Sequence, residues 1–363
     1  MYFRKFPHVA NFAFAGRTTA SGAITLGRER IALKQQSFKD GVFRITASSP
    51  RWAKNLSQAG LTPPPLDKSA KAPYRLDTAQ PFGLTLRGPG GEVLLRAPAG
   101  RSFGVCGPRS VFVFEQTDDM QFYGMGEKMR GLELSGIQTK FWNTDIFADF
   151  HWKEIENDRP DPMYVSVPYV VIKRGNTFIG LLLDNPHATF MSTSASINIG
   201  GGQMNLGGPE QKYLTIGAEN GQPDLYVLVG PSLAALTRKL QSLVGRTPLP
   251  PAWALGYHQC RWGYKSEACL DDLDANFTKH GIPCDGLWVD IDYMDSFKVF
   301  TFNKGYFPSI DKTLKKLARK GRKVVPIIDP GVKKQKGYPV YDSGKKADVY
   351  CRNPQGDDFG NAA

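Results

Sequence analysis

The period of the apolar residues changes once along this 363-residue chain, near residue 230, and that change limits the fold more than any other feature. Before it, short apolar segments bounded by Gly, Pro, Asp or Lys recur in the manner of β-strands. Ala23-Ile24-Thr25-Leu26, Arg30-Ile31-Ala32-Leu33 and Val42-Phe43-Arg44-Ile45-Thr46 open the series. Segments 82–87 and 92–96 flank Gly88-Pro89-Gly90-Gly91, a hairpin signal with glycines where positive φ is needed. Segments 111–114, 164–172, 177–183, 188–191, 203–206 and 223–229 continue it at the spacing of a large antiparallel β-sandwich. Residues 49–73, with Pro50, Pro63, Pro64, Pro65 and Pro73, read as a surface excursion.

After residue 230 the period becomes helical, with Leu233, Leu236, Leu240 and Leu243 on one face of a predicted helix over 231–244. Residues 245–251 form a Pro-rich connector, and strand-like and helix-like segments then alternate: strand 255–260, helix 266–280 ended by Gly281, strand 286–292, helix 309–320 stopped by Gly321, and strand 323–329. Buried apolar strands alternating with helices indicate parallel pairing, and the lack of a Gly-x-Gly-x-x-Gly turn favours a TIM-type barrel over a nucleotide-binding sheet. The expected organisation is a β-sandwich domain over residues 1–245 and the start of a (β/α)8 barrel over 246–363, with three of eight strands. No closing helix is read after the third strand, so a truncated chain is expected.

Composition excludes several classes. Apolar residues at 41% and charged residues at 22% suit a folded protein, and no run of 18 apolar residues exists to cross a membrane. The start of the chain lacks a basic segment followed by an apolar one, so a soluble, unexported, cytoplasmic protein is expected. The five cysteines include no Cys-x-x-Cys and read as buried free thiols. The net charge of +12 raises nucleic-acid binding, but residues 1–100 carry +10, 101–200 carry −3 and 201–363 carry +5. The excess is scattered single charges such as Arg28, Arg30, Lys34 and Lys39, the pattern of a solvated face rather than a nucleic-acid stripe. There is no Walker loop or His-Glu-x-x-His, and none of the five histidines has ligand spacing; His258 reads as a barrel-core residue.

Chemistry gathers where the apolar strands end. In Leu287-Trp288-Val289-Asp290-Ile291-Asp292-Tyr293 the two carboxylates are two apart, which on a continuing strand puts both on one side. Carboxylates at the C-terminal end of a barrel strand belong to an active-site mouth; the plain alternative is a loop cap or a lysine ion pair. The neighbouring strands end in Cys260-Arg261-Trp262-Gly263-Tyr264 and Asp329-Pro330-Gly331, so Trp262, Asp290 and Asp329 are expected on one face. An aromatic plate beside carboxylates suits a polyhydroxylated ring.

These runs, together with Phe122-Tyr123-Gly124-Met125-Gly126-Glu127-Lys128, Phe141-Trp142-Asn143-Thr144-Asp145, Val167-Pro168-Tyr169, Ala254-Leu255-Gly256-Tyr257 and Ile328-Asp329-Pro330-Gly331, occur in the order found in glycoside hydrolase family 31. The chain resembles the N-terminal part of a family 31 α-glucosidase over residues 122–331; earlier residues match mainly in β character. The resemblance implies a galactose-mutarotase-like sandwich followed by a (β/α)8 barrel, retaining hydrolysis of terminal α-glucosides, and no cofactor. It implies a carbohydrate partner and self-association, and neither nucleic acid nor membrane. By the same resemblance Trp262 is the aromatic of the −1 subsite, Asp290 binds the distal sugar hydroxyls with Ile291 beside it, Ile328 is an apolar wall, and Asp145 comes from a sandwich loop. Asp149, Glu154, Asp158 and Asp161 share that acidic stretch, which otherwise reads as a solvated loop.

One departure governs activity. The family nucleophile lies in a Trp-x-Asp-Met-Asn-Glu run and the acid/base aspartate follows it; neither run occurs in these residues. Retaining hydrolysis needs both carboxyls, about 5–5.5 Å apart. The chain alone is expected to be inactive. The readings left open beside α-glucosidase are α-xylosidase or transglucosidase within the family, and a non-catalytic carbohydrate-binding protein outside it.

Overall fold

The structure, a computed structural model, describes residues 12–14, 23–26, 29–52, 61–67, 69, 72–144, 146, 161–194, 198–199, 202–203, 212–353 and 355–357. The chain divides into two compact units, Met1–Arg246 and Thr247–Ala363.

Two antiparallel sheets build the first unit. One has the spatial order β1 (Ala13–Phe14), β8 (Phe103–Cys106), β9 (Arg109–Gln116), β17 (Lys212–Ala218), β14 (Thr189–Ser192), β11 (Gln138–Phe141). The other has the order β10 (Met120–Gly126), β12 (Ser166–Arg174), β13 (Thr177–Leu183), β18 (Asp224–Gly230), β4 (Val42–Ser48), β3 (Glu29–Phe38), β2 (Ala23–Leu26). A smaller sheet of β5 (Arg75–Ala79), β6 (Gly83–Arg87) and β7 (Val93–Ala97), and the hairpin β15 (Asn198–Ile199) with β16 (Gly202–Gln203), complete the described strands. Strand β18 is buried along its whole length because both of its faces are covered. Leu225, Val227 and Val229 enter the core between the sheets with Phe43, Ile45 and Phe112, while Tyr226 and Leu228 pack with Leu236 and Leu243 of helix α1 (Leu233–Val244). That helix starts on Ser232, whose Oγ accepts the Ala235 N–H at 3.2 Å, and ends at Gly245 with φ +91°. Asp224 is tolerated in this buried strand because Arg44, opposite Tyr226 on β4, donates to both its oxygens at 2.9 and 2.6 Å.

In the second unit β20 (Gly286–Val289) lies between β19 (His258–Gln259) and β21 (Lys323–Pro326), both parallel to it. The connections are the helices α2 (Glu267–Lys279) and α3 (Ile310–Arg319), as parallel neighbours require, and α4 (Pro339–Ala347) follows β21. Leu270, Leu287, Val289, Phe307 and Leu317 fill the space between sheet and helices. One ion cluster locks the frame: Asp274 on α2 accepts from Arg322 Nε and Lys320 Nζ, each at 2.5 Å, and Arg322 also donates to the Cys284 carbonyl at 2.6 Å. Asp274 is 2% exposed and Arg322 8%.

The architecture follows the sequence reading, a galactose-mutarotase-like sandwich and then parallel strand–helix units, with corrections in detail. The strand expected over 255–260 is His258–Gln259 alone, because Ala252–Leu255 forms a 3-10 turn. The strand expected to reach 292 stops at Val289, so the period-two argument for Asp290 and Asp292 does not apply. The third strand stops at Pro326 rather than 329, and a helix not foreseen, α4, follows it. Gly344 in the middle of that helix hid it; a Cβ there would collide with the Tyr350 ring, which explains the glycine. Strands β1, β5, β8, β10, β11, β15 and β17 were also not foreseen, and residues 204–206 of the strand expected over 203–206 lie outside the described residues. The cysteines are free, but only Cys284 is buried; Cys260 and Cys351 are exposed. Among the described residues no helix is long and apolar enough to cross a membrane.

Burial alone would push the Asp274 carboxyl up, but hydrogen bonds from Lys320 and Arg322 outweigh it and hold it below the usual carboxylate range. Its stabilisation is present above the unfolded value of about 4 and is lost as pH falls through the lower folded-state pKa. Asp274→Ala, which strands Arg322 in the interior, is expected to cost about 3 kcal/mol in urea unfolding and to flatten the acid limb of the stability profile. A variant as stable as the parent would contradict this account of the frame.

Candidate active site

Three adjacent parallel strands present their C-terminal ends on one side of the sheet, and the residues that follow each strand form the candidate site. After β20 the chain turns at once. Asp290 is the N-cap of a single 3-10 turn, Ile291–Tyr293, and its Oδ1 accepts the Ile291 N–H at 2.7 Å. Its Oδ2 has no partner among the described residues, and the side chain is half-buried. A carboxylate held by its own turn with one oxygen unspent can accept hydrogen bonds from a ligand's hydroxyls.

The turn is fixed from below. Tyr293 is 2% exposed and donates its hydroxyl to the Ile327 carbonyl at 2.8 Å, while the Ile327 N–H donates to the Val289 carbonyl at 3.0 Å. Burial, and then the nearby Tyr338, push the Tyr293 phenol up, so it stays a neutral donor. This cross-brace fixes Ile327, and the next residue, Ile328, is 51% exposed. Ile291 is partly buried and packs on the core. Asp329 has φ +47° and is exposed.

Trp262, three residues past β19, is 69% exposed. Its indole N–H donates to Asp292 Oδ2 at 3.0 Å, and Lys265 Nζ lies 3.0 Å from the same oxygen. Asp292, unlike Asp290, thus spends its Oδ2 within the chain, where it orients the aromatic plate. This role, between residues thirty apart, has no local sequence signal. Trp262, Asp290, Ile291 and Ile328 therefore come to one end of the sheet. Asp145, Asp149, Glu154 and Asp158 lie outside the described residues.

Two groups serve as support. His258 Nε2 faces the Trp253 carbonyl at 2.9 Å, an acceptor, so that nitrogen carries the proton and Nδ1 accepts from Trp288 Nε1 at 3.0 Å. With both nitrogens engaged and its ring stacked on Trp253, His258 is a half-buried structural residue. In the first unit Lys128 Nζ donates to Asp161 Oδ1 at 2.6 Å and the Lys140 carbonyl at 2.7 Å. Burial lowers the Lys128 pKa, and Asp161 opposes that shift. Among the described residues no group of three or more His, Cys, Asp or Glu could hold a metal ion.

Comparison with known proteins identifies the domains. Residues 247–362 match the glycosyl hydrolases family 31 TIM-barrel domain, and residues 32–191 match the glycosyl hydrolase 31 N-terminal galactose mutarotase-like domain. The chain is 35% identical over 247 residues to alpha-glucosidase 2 of Bacillus thermoamyloliquefaciens, covering 68% of this chain and 29% of that protein. It is 32% identical over 265 residues to human neutral alpha-glucosidase AB, covering 70% and 27%. The chain thus spans less than a third of these curated relatives. In fold it resembles a Flavobacterium johnsoniae GH31 dextranase complexed with glucose, with TM-score 0.75, 21% identity, and coverage of 95% of this chain and 44% of that one. It also resembles glucosidase II alpha subunit bound to alpha3-Glc2, with TM-score 0.77, 21% identity, and coverage of 98% and 47%.

If Asp292 orients the indole, Asp292→Ala frees it. The Trp262 indole N–H resonance of the 15N-labelled chain is expected to shift and to exchange with water faster than in the parent. An unmoved Trp262 signal would remove Asp292 from this role.

Proposed function

Because the chain belongs to glycoside hydrolase family 31, we propose that it supplies the N-terminal domain and the first strand–helix units of a retaining hydrolase of terminal α-glucosides. The observation that carries this reading is the unspent carboxylate oxygen of Asp290, at the same end of the parallel sheet as the anchored, exposed indole of Trp262. In it, Trp262 stacks on the C–H face of the −1 sugar, Asp290 accepts from its distal hydroxyls, and Ile291 and Ile328 form the apolar wall; Asp145 is the candidate from the sandwich loop. α-Glucosides are preferred to α-xylosides because the curated relatives are alpha-glucosidases. All five cysteines are free thiols, which suits a reducing compartment, so a cytoplasmic location belongs to the same proposal, as does self-association.

Neither the nucleophile nor the acid/base run occurs in residues 1–363, so this chain by itself binds without hydrolysing. Turnover of p-nitrophenyl α-D-glucoside by the 363-residue chain would overturn that. In a protein extended through a Trp-x-Asp-Met-Asn-Glu run, turnover of the same substrate is expected, and Asp290→Ala is expected to lower kcat/KM by about a hundredfold or more, since charge-assisted hydrogen bonds contribute about 1.5–3 kcal/mol each. Near-parental kinetics in that variant would remove Asp290 from the −1 subsite.

A further inference from the structure

A cleft of about 290 Å³ opens within the first unit, where the chain leaves β11, enters β12 and passes from β13 to β14. Its frame is made by hydrogen bonds that cross between the two sheets' strand ends. Asn143 Oδ1 accepts the Ser166 N–H at 2.9 Å, and the Thr144 N–H reaches the Met163 carbonyl at 3.0 Å. On the facing side Asn185 Oδ1 accepts the His187 N–H at 2.8 Å while its amide donates to the Asn220 carbonyl at 3.0 Å. Gly221 makes room for this turn, since a Cβ there would lie 2.5 Å from the His187 ring.

What the frame leaves unspent is more informative. Three buried side-chain polar atoms among the described residues have no hydrogen-bond partner, and two of them, Ser166 Oγ and Thr189 Oγ1, belong to residues lining this cleft. Thr189 is only 2% exposed. A buried hydroxyl without a partner costs about 1–3 kcal/mol, a cost that a ligand's hydroxyl would offset. The same wall holds Trp142, 44% exposed, whose indole N–H has no partner among the described residues, along with the Asn143 amide and the His187 ring. Among the described residues the lining carries no Lys, Arg, Asp or Glu and offers neutral donors and acceptors. An aromatic face with neutral donors and acceptors fits a neutral sugar, and the volume, near the lower limit of roughly 300 Å³ for small-molecule sites, fits one ring.

We propose that this cleft is a saccharide-binding site of the first unit that takes a single neutral hexopyranosyl residue, with Trp142 stacking on the ring and the Ser166 and Thr189 hydroxyls meeting its hydroxyls. The choice of a glucosyl residue rests on the α-glucoside reading above. The test is titration of the whole 363-residue chain with maltose, followed by calorimetry and saturation-transfer NMR, in the parent and in Trp142→Ala, Thr189→Val and Asp290→Ala. Trp142→Ala is expected to weaken maltose binding at least about tenfold, the loss typical of a central aromatic anchor. Thr189→Val, which removes the unpartnered hydroxyl at constant shape, is expected to raise Tm without sugar while weakening binding. A residual site that survives Asp290→Ala but not Trp142→Ala supports the inference. No maltose binding by the parent, unchanged affinity in Trp142→Ala, or binding abolished by Asp290→Ala alone overturns it. The α-glucosidase reading is decided separately, by hydrolysis in the extended protein.

Discussion

Parallel pairing on both sides of Gly286–Val289 is the constraint on which the candidate site depends. Residues brought together there come from positions 262, 290 and 328, and only the ladder that sets His258 opposite Gly286 and Gly286 opposite Lys323 puts their strand ends level. A parallel ladder cannot be closed by a tight turn, so each strand needs its own helix, and the helices in turn need an anchor. The buried Asp274 with Arg322 and Lys320 is that anchor: it joins α2 to the entry of β21 and, through the Cys284 carbonyl, to the entry of β20. The ions lie toward the strand entries, leaving the exits for chemistry, which is the division of labour expected of barrel strands.

At the exits the polar groups work in pairs of differing role. Asp290 spends one oxygen on its own turn and keeps the other, whereas Asp292 spends Oδ2 on Trp262 and Lys265. Two carboxylates two residues apart thus differ: one keeps an oxygen unspent and the other holds the Trp262 indole. The cause is the change from strand to 3-10 turn after Val289, which rotates successive side chains by about a third of a turn instead of a half. Tyr293, buried and neutral, ties that turn to the next strand, so the geometry of the exit is held by hydrogen bonds rather than by loop length.

The sandwich is held in another way. Strand β18 alternates between two cores, one between the sheets and one beneath α1, and its single buried charge is answered across the ladder by Arg44. The motif Gly126-Glu127-Lys128 resolves into a support: Lys128 ties Asp161 to the Lys140 carbonyl. Where the two sheets' strand ends meet, bonds such as that from the Ser166 N–H to Asn143 Oδ1 hold the frame while the Ser166 and Thr189 hydroxyls have no partner among the described residues, and that contrast makes the cleft a candidate for a ligand rather than a packing fault.

The order of domains, the helical period of Leu233, Leu236, Leu240 and Leu243, the helix stops at Gly281 and Gly321, and the strand-end placement of Trp262 and Asp290 were legible in the amino-acid sequence alone, because each depends on local period or on the φ freedom of glycine. Strands such as β8 and β11 were not legible, and α4 was masked by Gly344, which is there for the sake of Tyr350. The split between Asp290 and Asp292, the double engagement of His258 and the unspent hydroxyls of Ser166 and Thr189 were decided only by tertiary structure. The bonds from Trp262 to Asp292 and from Trp288 to His258 each join residues thirty apart, and a hydrogen bond, made or missing, is set by where the backbone brings its two ends.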